Sequence, residues 1–199
     1  MKKNYDSAAP DIQWSLELFQ WTAKNTQVRF FGDPILREPC EPVQPFDFGS
    51  GALKQIHDDL ESTLSKYRKH SGIGRGLAAN QIGYTKAVIA IWGHKGPEVM
   101  YSPKLIKAEG ESSYWESCIS SGTLLIGEVI RPRKCEFIYQ DAEGEQKTLL
   151  ADELQTRVLL HEIDHLNGIT CDEKYEPRTM KLITGGKKEI LNFQLKKLS

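Results

Sequence analysis

The sequence predicts an α+β fold: antiparallel β-sheets packed around a central helix that carries an H-E-x-x-H pattern. Three observations predict it. Strand-like runs between residues 86 and 150 follow one another with turn residues, and no helical period, between them. That order argues against alternating βαβ units. A helical pattern precedes the block, and a strongly apolar one, Leu159-Leu-His-Glu-Ile-Asp-His-Leu-Asn-Gly168, follows it.

A chain of 199 residues suits one domain with a terminal extension and can bury a core without disulfides. Residues 1–26 read as an N-terminal extension that packs on the domain, because Ile12, Trp14, Leu16, Leu18, Phe19 and Trp21 are too apolar for a solvated tail. Residues 27–199 read as the single domain. A net charge of −1 gives no footprint for general nucleic-acid binding. No apolar run is long enough to span a membrane. Met1-Lys-Lys-Asn4 leads into no apolar stretch, which argues against a secretory signal. Cys40, Cys118, Cys135 and Cys171 show no paired short spacing. They read as reduced thiols of a cytoplasmic protein, at least one of them available to a metal or to catalysis.

In chain order, Asp33-Pro34 marks a turn after which Ile35 and Leu36 re-enter the core. Cys40 lies in a proline-punctuated loop and reads as structural. From Ser50 to Lys69, Leu53, Ile56, Leu60, Leu64 and Tyr67 repeat at threes and fours, a helix that Ser71-Gly72 ends. His57 lies beside that stripe and reads as structural. Gly72-Ile-Gly-Arg-Gly76 lacks the Lys-Ser/Thr of a phosphate loop and reads instead as backbone passing close to a ligand. Gln81, after two alanines, is a polar group held by tight packing or a loop amide in solvent. Residues 86–92 form a strand apolar on both faces, hence central. Residues 98–101, 105–109 and 112–116 read as short separate strands, and 134–140 and 146–150 as a hairpin with Cys135 in the core. The stretch 187–198 is expected to be a C-terminal helix, with Ile190, Leu191, Gln194, Leu195 and Leu198 in phase. From Tyr175 onward six Lys/Arg stand against two Glu, either a solvated face or a docking surface for an anionic partner.

The chemistry concentrates in the apolar helix. Asp152 with Gln155 forms a capping box at its start, and Gly168 supplies a left-handed stop. His161 and His165, four apart, share a face with Leu154 and Val158 and can hold one metal ion. Glu162 lies about 100° round, within reach of protons on a water at that ion. Two imidazoles leave room for a third ligand and an open position. Cys118, Cys171, Glu173 and Glu176 are the candidates on these residues alone.

Three segments together carry a resemblance. Gly74-Arg-Gly-Leu-Ala-Ala-Asn-Gln81, Glu116-Ser-Cys-Ile-Ser120 and His161-Glu-Ile-Asp-His165 resemble, in order and spacing, the three motifs of peptide deformylases. Asp33-Pro-Ile-Leu-Arg37 is similar to that family's N-terminal region, so the resemblance covers about residues 28–175. It implies a divalent metal held by Cys118, His161 and His165, with Fe(II) the usual ion and zinc, nickel or cobalt able to replace it. It implies Glu162 as proton carrier, with the Gln81 amide and the Ile119 N–H as donors to a developing oxyanion. Gly74, Arg75, Gly76 and Ser117 would border the substrate, and Glu116 would pair with Arg131. The implied reaction is hydrolysis of the formyl group from formylmethionine at the N-terminus of nascent polypeptides, by a monomer in a bacterial-type cytosol or an organelle. The ribosome is the implied partner of the basic C-terminal helix.

Four residues depart from the family pattern. Ser117 stands where a glycine is usual, Ile119 where leucine is, Gly122 where proline is common, and Arg75 where the residue is usually apolar. Two other readings differ in class. One is a catalytically weak, deformylase-like protein that binds or processes a different N-terminally modified peptide. The other is an H-E-x-x-H peptidase, which needs a downstream ligand.

Overall fold

The computed structural model describes residues 10–193 and 196–198. Four helices, α1 (Pro10–Asn25), α2 (Gly51–Ser71), α3 (Glu153–Leu166) and α4 (Gly186–Leu191), pack on antiparallel strands. The strands are β1 (Gly76–Ala78), β2 (Val88–Trp92), β3 (Pro97–Glu116), β4 (Leu125–Gln140), β5 (Gln146–Ala151), β6 (Lys181–Leu182) and β7 (Lys196–Lys197). The first five lie side by side in chain order, while β6 pairs with the start of β4 and β7 with β3.

The apolar character of β2 has a direct cause. Val88 and Ala90 join Leu53, Ile56, Leu60 and Leu64 of α2 in one core. Ile89 and Ile91 point the other way, into a second core with Leu159 and Leu166 of α3. Alternation with a helix on each face makes every position apolar. Leu77 and Ala78 of β1 divide between the two cores in the same way.

The three short strands expected at 98–116 are one continuous strand. One register shift, between Tyr101 and Lys104, passes over Ser102 and Pro103, a second passes over Ile106, and pairing with β4 resumes beyond each. A bulge bends a ribbon without ending it, which is why local turn residues misread as breaks. The first half of β4, with Gly127 and Pro132, gave no strand signal, yet it pairs through to Glu116. The hairpin of β4 and β5 and the burial of Cys135 follow the sequence expectation.

The sequence left the secondary structure of the N-terminal segment open, and it placed the C-terminal helix too far along the chain. Residues 10–25 form a full helix, with Phe19 edge-on to Phe30 at 4.9 Å and Trp21 stacked on His70 at 3.9 Å. The helix expected over 187–198 spans only Gly186–Leu191 and ends at Asn192. Lys196 and Lys197 pair instead with Ser113 and Ser112 of β3. A helix this short has little stability of its own, and the side of β3 not covered by β2 offers backbone partners. Gln194 and Leu195 lie outside the described residues.

Candidate active site

α3 begins as its cap predicts. Asp152 Oδ1 accepts the N–H groups of Leu154 (2.9 Å) and Gln155 (2.8 Å), and Gln155 Oε1 accepts the Asp152 N–H at 3.3 Å. Gly168, at φ +73°, follows the helix, and a Cβ there would stand 2.5 Å from the Arg37 carbonyl oxygen. This contact locks the end of α3 against the loop after the Asp33–Arg37 turn. The Asn80 side-chain amide donates to the His165 carbonyl at 2.5 Å, fixing the same end from the β1 side. The stripe that holds the histidines does not face the core throughout. Leu154 is 41% exposed, because it borders a cleft together with Val158 and His161.

Cys118, His161 and His165 come together, each offering one ligand atom within 4.8 Å of the others. Cys118 Sγ lies 3.2 Å from His165 Nε2 and accepts from the Ser120 N–H and Gln81 Nε2, both at 3.3 Å. Burial pushes the Cys118 thiol up, but Cys171, His165 and His161 together hold it well below the ordinary thiol range. Burial works to lower His161, yet Cys118 and Glu116 raise it well above the ordinary imidazole range. Among the described residues no downstream carboxylate joins the group: Glu173, a candidate third ligand, is taken up by Arg37 and by the Thr170 N–H at 2.8 Å.

Glu116 is the hub behind the histidines. It accepts from Arg131 Nε (2.8 Å) and Nη2 (2.9 Å), as the resemblance implied, and also from Arg157 Nη1 at 2.7 Å. Its Oε2 is 3.1 Å from His161 Nδ1, which leaves Nε2 of that ring for the centre. Burial opposes ionisation of Glu116, but Arg131 and His161 overcome it and hold the carboxyl well below its usual range. Arg131 Nη1 reaches on to Asp164 Oδ2 at 2.8 Å. Arg157 also donates to the carbonyls of Ser112 (2.6 Å) and Val129 (2.9 Å), tying α3 to both long strands.

Arg157, Asp164 and Cys171 are the parts that the sequence reading missed or left unplaced. An arginine one turn before His161 on a stripe of Leu and Val was the available signal for the first. Cys171 is buried beside Cys118, and its own sulfur lies 3.1 Å from the Tyr175 hydroxyl. It supports the metal-type cysteine rather than joining the triad. No local pattern announces that contact.

The glycines at the start of β1 make room for the chain's own side chains. Gly74 sits at φ +97°, and a Cβ would meet the Tyr67 ring at 2.8 Å; at Gly76 it would meet the Glu162 carboxylate at 2.4 Å. The close neighbours of this backbone are thus the chain's own Tyr67 and Glu162, where the sequence suggested a ligand. Glu162 is buried, and its Oε2 has no partner among the described residues. Burial raises its pKa to about 7, against the lowering effect of His161 and His165.

Gln81, Ile119, Ser117, Gly74, Arg75 and Gly76 all border the cleft, whose volume is about 460 Å³. Gln81 is fully enclosed; its Nε2 reaches Ser120 Oγ at 3.0 Å as well as Cys118, and its Oε1 accepts the Ala78 N–H at 2.8 Å. Packing therefore settles its two readings in favour of a held amide. Ile119 opens a 3-10 turn after Cys118, a position whose N–H has no partner inside the turn. The far wall of the cleft includes Ile190, Leu191 and Phe193 from the C-terminal segment.

A thiolate and two imidazoles converging beside an unpaired buried carboxylate fit a single divalent ion with an open position. Fold and site together define a mononuclear metallohydrolase. The chain belongs to the polypeptide deformylase family, whose model matches residues 25–181. A peptide deformylase of Thermoanaerobacter pseudethanolicus is 35% identical over 147 residues, covering 74% of this chain and 87% of the relative. The crystal structure of a peptide deformylase from Legionella pneumophila superposes with a TM-score of 0.68 at 27% identity, over 76% of this chain and 86% of the other. That of Thermotoga maritima gives 0.67 at 29% identity, over 75% and 97%.

Proposed function

We propose that this chain hydrolyses the N-terminal formamide of newly made polypeptides that begin with formylmethionine, releasing formate. The observation that carries this is the placement of Glu162 beside the Cys118, His161 and His165 triad at the side of the cleft. Cys118, His161 and His165 would hold the ion, for which we favour Fe(II). When bound, such an ion acidifies water and polarises a carbonyl.

The chain's own residues account for the other requirements. Tyr67, Ile126 and Val158 give the cleft apolar walls suited to a methionine side chain. β1 is the end strand of the sheet, so its outer backbone can pair with an extended peptide. The N–H of Ile119 and the amide of Gln81 border the cleft and would donate to the formyl oxygen as charge develops there. For Gln81 this means exchanging its bond to Cys118. Glu162 takes the proton of the attacking water and delivers it to the departing amine nitrogen; a carboxyl titrating near neutrality suits both transfers. Glu116 sets the ring plane and tautomer of His161.

Formate release from a formyl-Met peptide, by protein loaded anaerobically with Fe(II), tests the reading. Absence of turnover with metal bound and the fold intact overturns it. Ser117 favours a second reading, a weak enzyme that mainly binds a modified peptide, because its Oγ is buried, unpaired among the described residues and at the cleft. Tight peptide binding without turnover would support that instead.

We further read residues 27–199 as one catalytic domain organised on α3, with the described part of the extension, 10–26, packed against it and the whole acting as a cytoplasmic monomer; residues 1–9 lie outside the described residues. Contacts of Phe19 and Trp21 support the packing. Ribosome docking through 187–198 is a separate proposal, supported by exposed Lys188 and Lys196. Unchanged co-sedimentation after replacing both with Glu would count against it.

A further inference from the structure

Arg68 lies in the last turn of α2, and its Nη1 donates to the Gly74 carbonyl at 2.6 Å. Its guanidinium lies 4.7 Å over the Trp92 ring. The Trp92 N–H donates to the Arg75 carbonyl at 2.7 Å. The Arg68 guanidinium thus sits on the peptide that leads into Arg75, and both arginines border the cleft. Burial lowers the pKa of Arg68, and the nearby charge of Arg75 lowers it further. A third cation is near: a Cβ on Gly72 would stand 2.1 Å from Lys187 Nζ, so the ammonium rests on the cleft rim.

None of the three forms an ion pair among the described residues. The other arginines of the site are committed, since Arg131 and Arg157 both bind Glu116. The acids that share the cleft are equally accounted for. Glu116 is held by those two arginines, and Glu162 is packed against Gly76. A chain of net charge −1 thus gathers unneutralised cations at one mouth. Like charges held together disfavour the bare state and favour an anion between them. Guanidinium forks match a carboxylate in shape and in donors.

We propose that Arg68 and Arg75, flanked by Lys187, form a carboxylate-recognition subsite that favours formyl-Met peptides bearing an acidic group shortly after the methionine. The group is either an Asp or Glu side chain or the C-terminus of a short peptide. This deepens the deformylase reading and rests on it.

The test compares kcat/KM of the metal-loaded full chain on four matched substrates. These are formyl-Met-Ala-Ala as the amide, the same peptide with a free C-terminus, and amides ending in Glu or Lys. One or both carboxylate peptides are expected to exceed the neutral amide by about fivefold, the yield of one partly exposed ion pair, mainly through KM. The free-acid and Glu arms separate the two sources of the carboxylate. High salt should erase the advantage. Arg75→Gln should bring the acidic-to-neutral ratio to about one, and Arg75→Glu should favour the Lys peptide. Equal ratios in the parent protein, or a ratio unmoved by Arg75→Glu, overturn the subsite while leaving the deformylase reading intact. No formate from any of the four, with metal bound, overturns both.

Discussion

Gly76 and Glu162 occupy adjoining space: a Cβ on residue 76 would stand 2.4 Å from Glu162 Oε1. The glycine thus sets the position of the proton-carrying carboxylate. Gly76 does not use a left-handed backbone, so Gly76→Ala should fold. It should displace Glu162, and an error near 1 Å at a reacting group costs about a hundredfold in rate. We expect kcat to fall on that scale with metal content unchanged. Equal loss of metal would place the damage elsewhere.

Glu162 itself touches neither Cys118 nor the Glu116 network by a hydrogen bond among the described residues. Glu162→Gln should therefore retain the ion and lose turnover by about a hundredfold or more. Metal analysis beside the formate assay separates the two effects.

Behind the histidines, removal of Arg157 would leave two strand carbonyls and one Glu116 oxygen short of donors. Breaking one arm of a buried ionic network costs about 3 kcal/mol. Arg157→Leu is expected to lower unfolding stability by that order in a denaturant titration, since leucine has no group to replace the guanidinium.

Glu116→Gln should act on the centre more than on the fold. It keeps the shape but weakens the contact to His161 Nδ1, now 3.1 Å. Losses of about 10- to 100-fold in metal affinity follow from such changes. Competition with a chelator measures them.

Withdrawal of the ion under anaerobic conditions should abolish formate release and lower the thermal midpoint, with recovery when the ion returns. Free ion at about a hundred times its dissociation constant stabilises the folded state by about 2.7 kcal/mol. A midpoint indifferent to the chelator would argue against an ion held by Cys118, His161 and His165.

How much was legible beforehand depended on range. The capping of α3 by Asp152, the stop at Gly168 and the two-faced burial of β2 are local or periodic, and each was read from neighbouring residues. Strand continuity across Ser102-Pro103 was not, because only the partner strand decides whether a bulge is a break. The end of α4 was misread for the same reason: β3 competes for residues 196–197. The hub at Glu116 was half legible. Arg131 came through the family resemblance, whereas Arg157 and Asp164 entered only when α3 was seen against β3 and β4.

The sequence alone determined that one helix carries two histidines on a face with a glutamate beside them, and its motif set pointed to Cys118 as the third ligand. Turn spacing and capping make those features local, so they hold before any packing is known. Only the tertiary structure decided that Glu116 gathers two arginines and a histidine, that Cys171 backs Cys118, and that Gly76 makes room for Glu162. Those contacts join residues 15 to 86 positions apart along the chain, counted from Glu116–Arg131 and Gly76–Glu162. Their energy comes from burial and charge pairing that no short stretch of sequence contains.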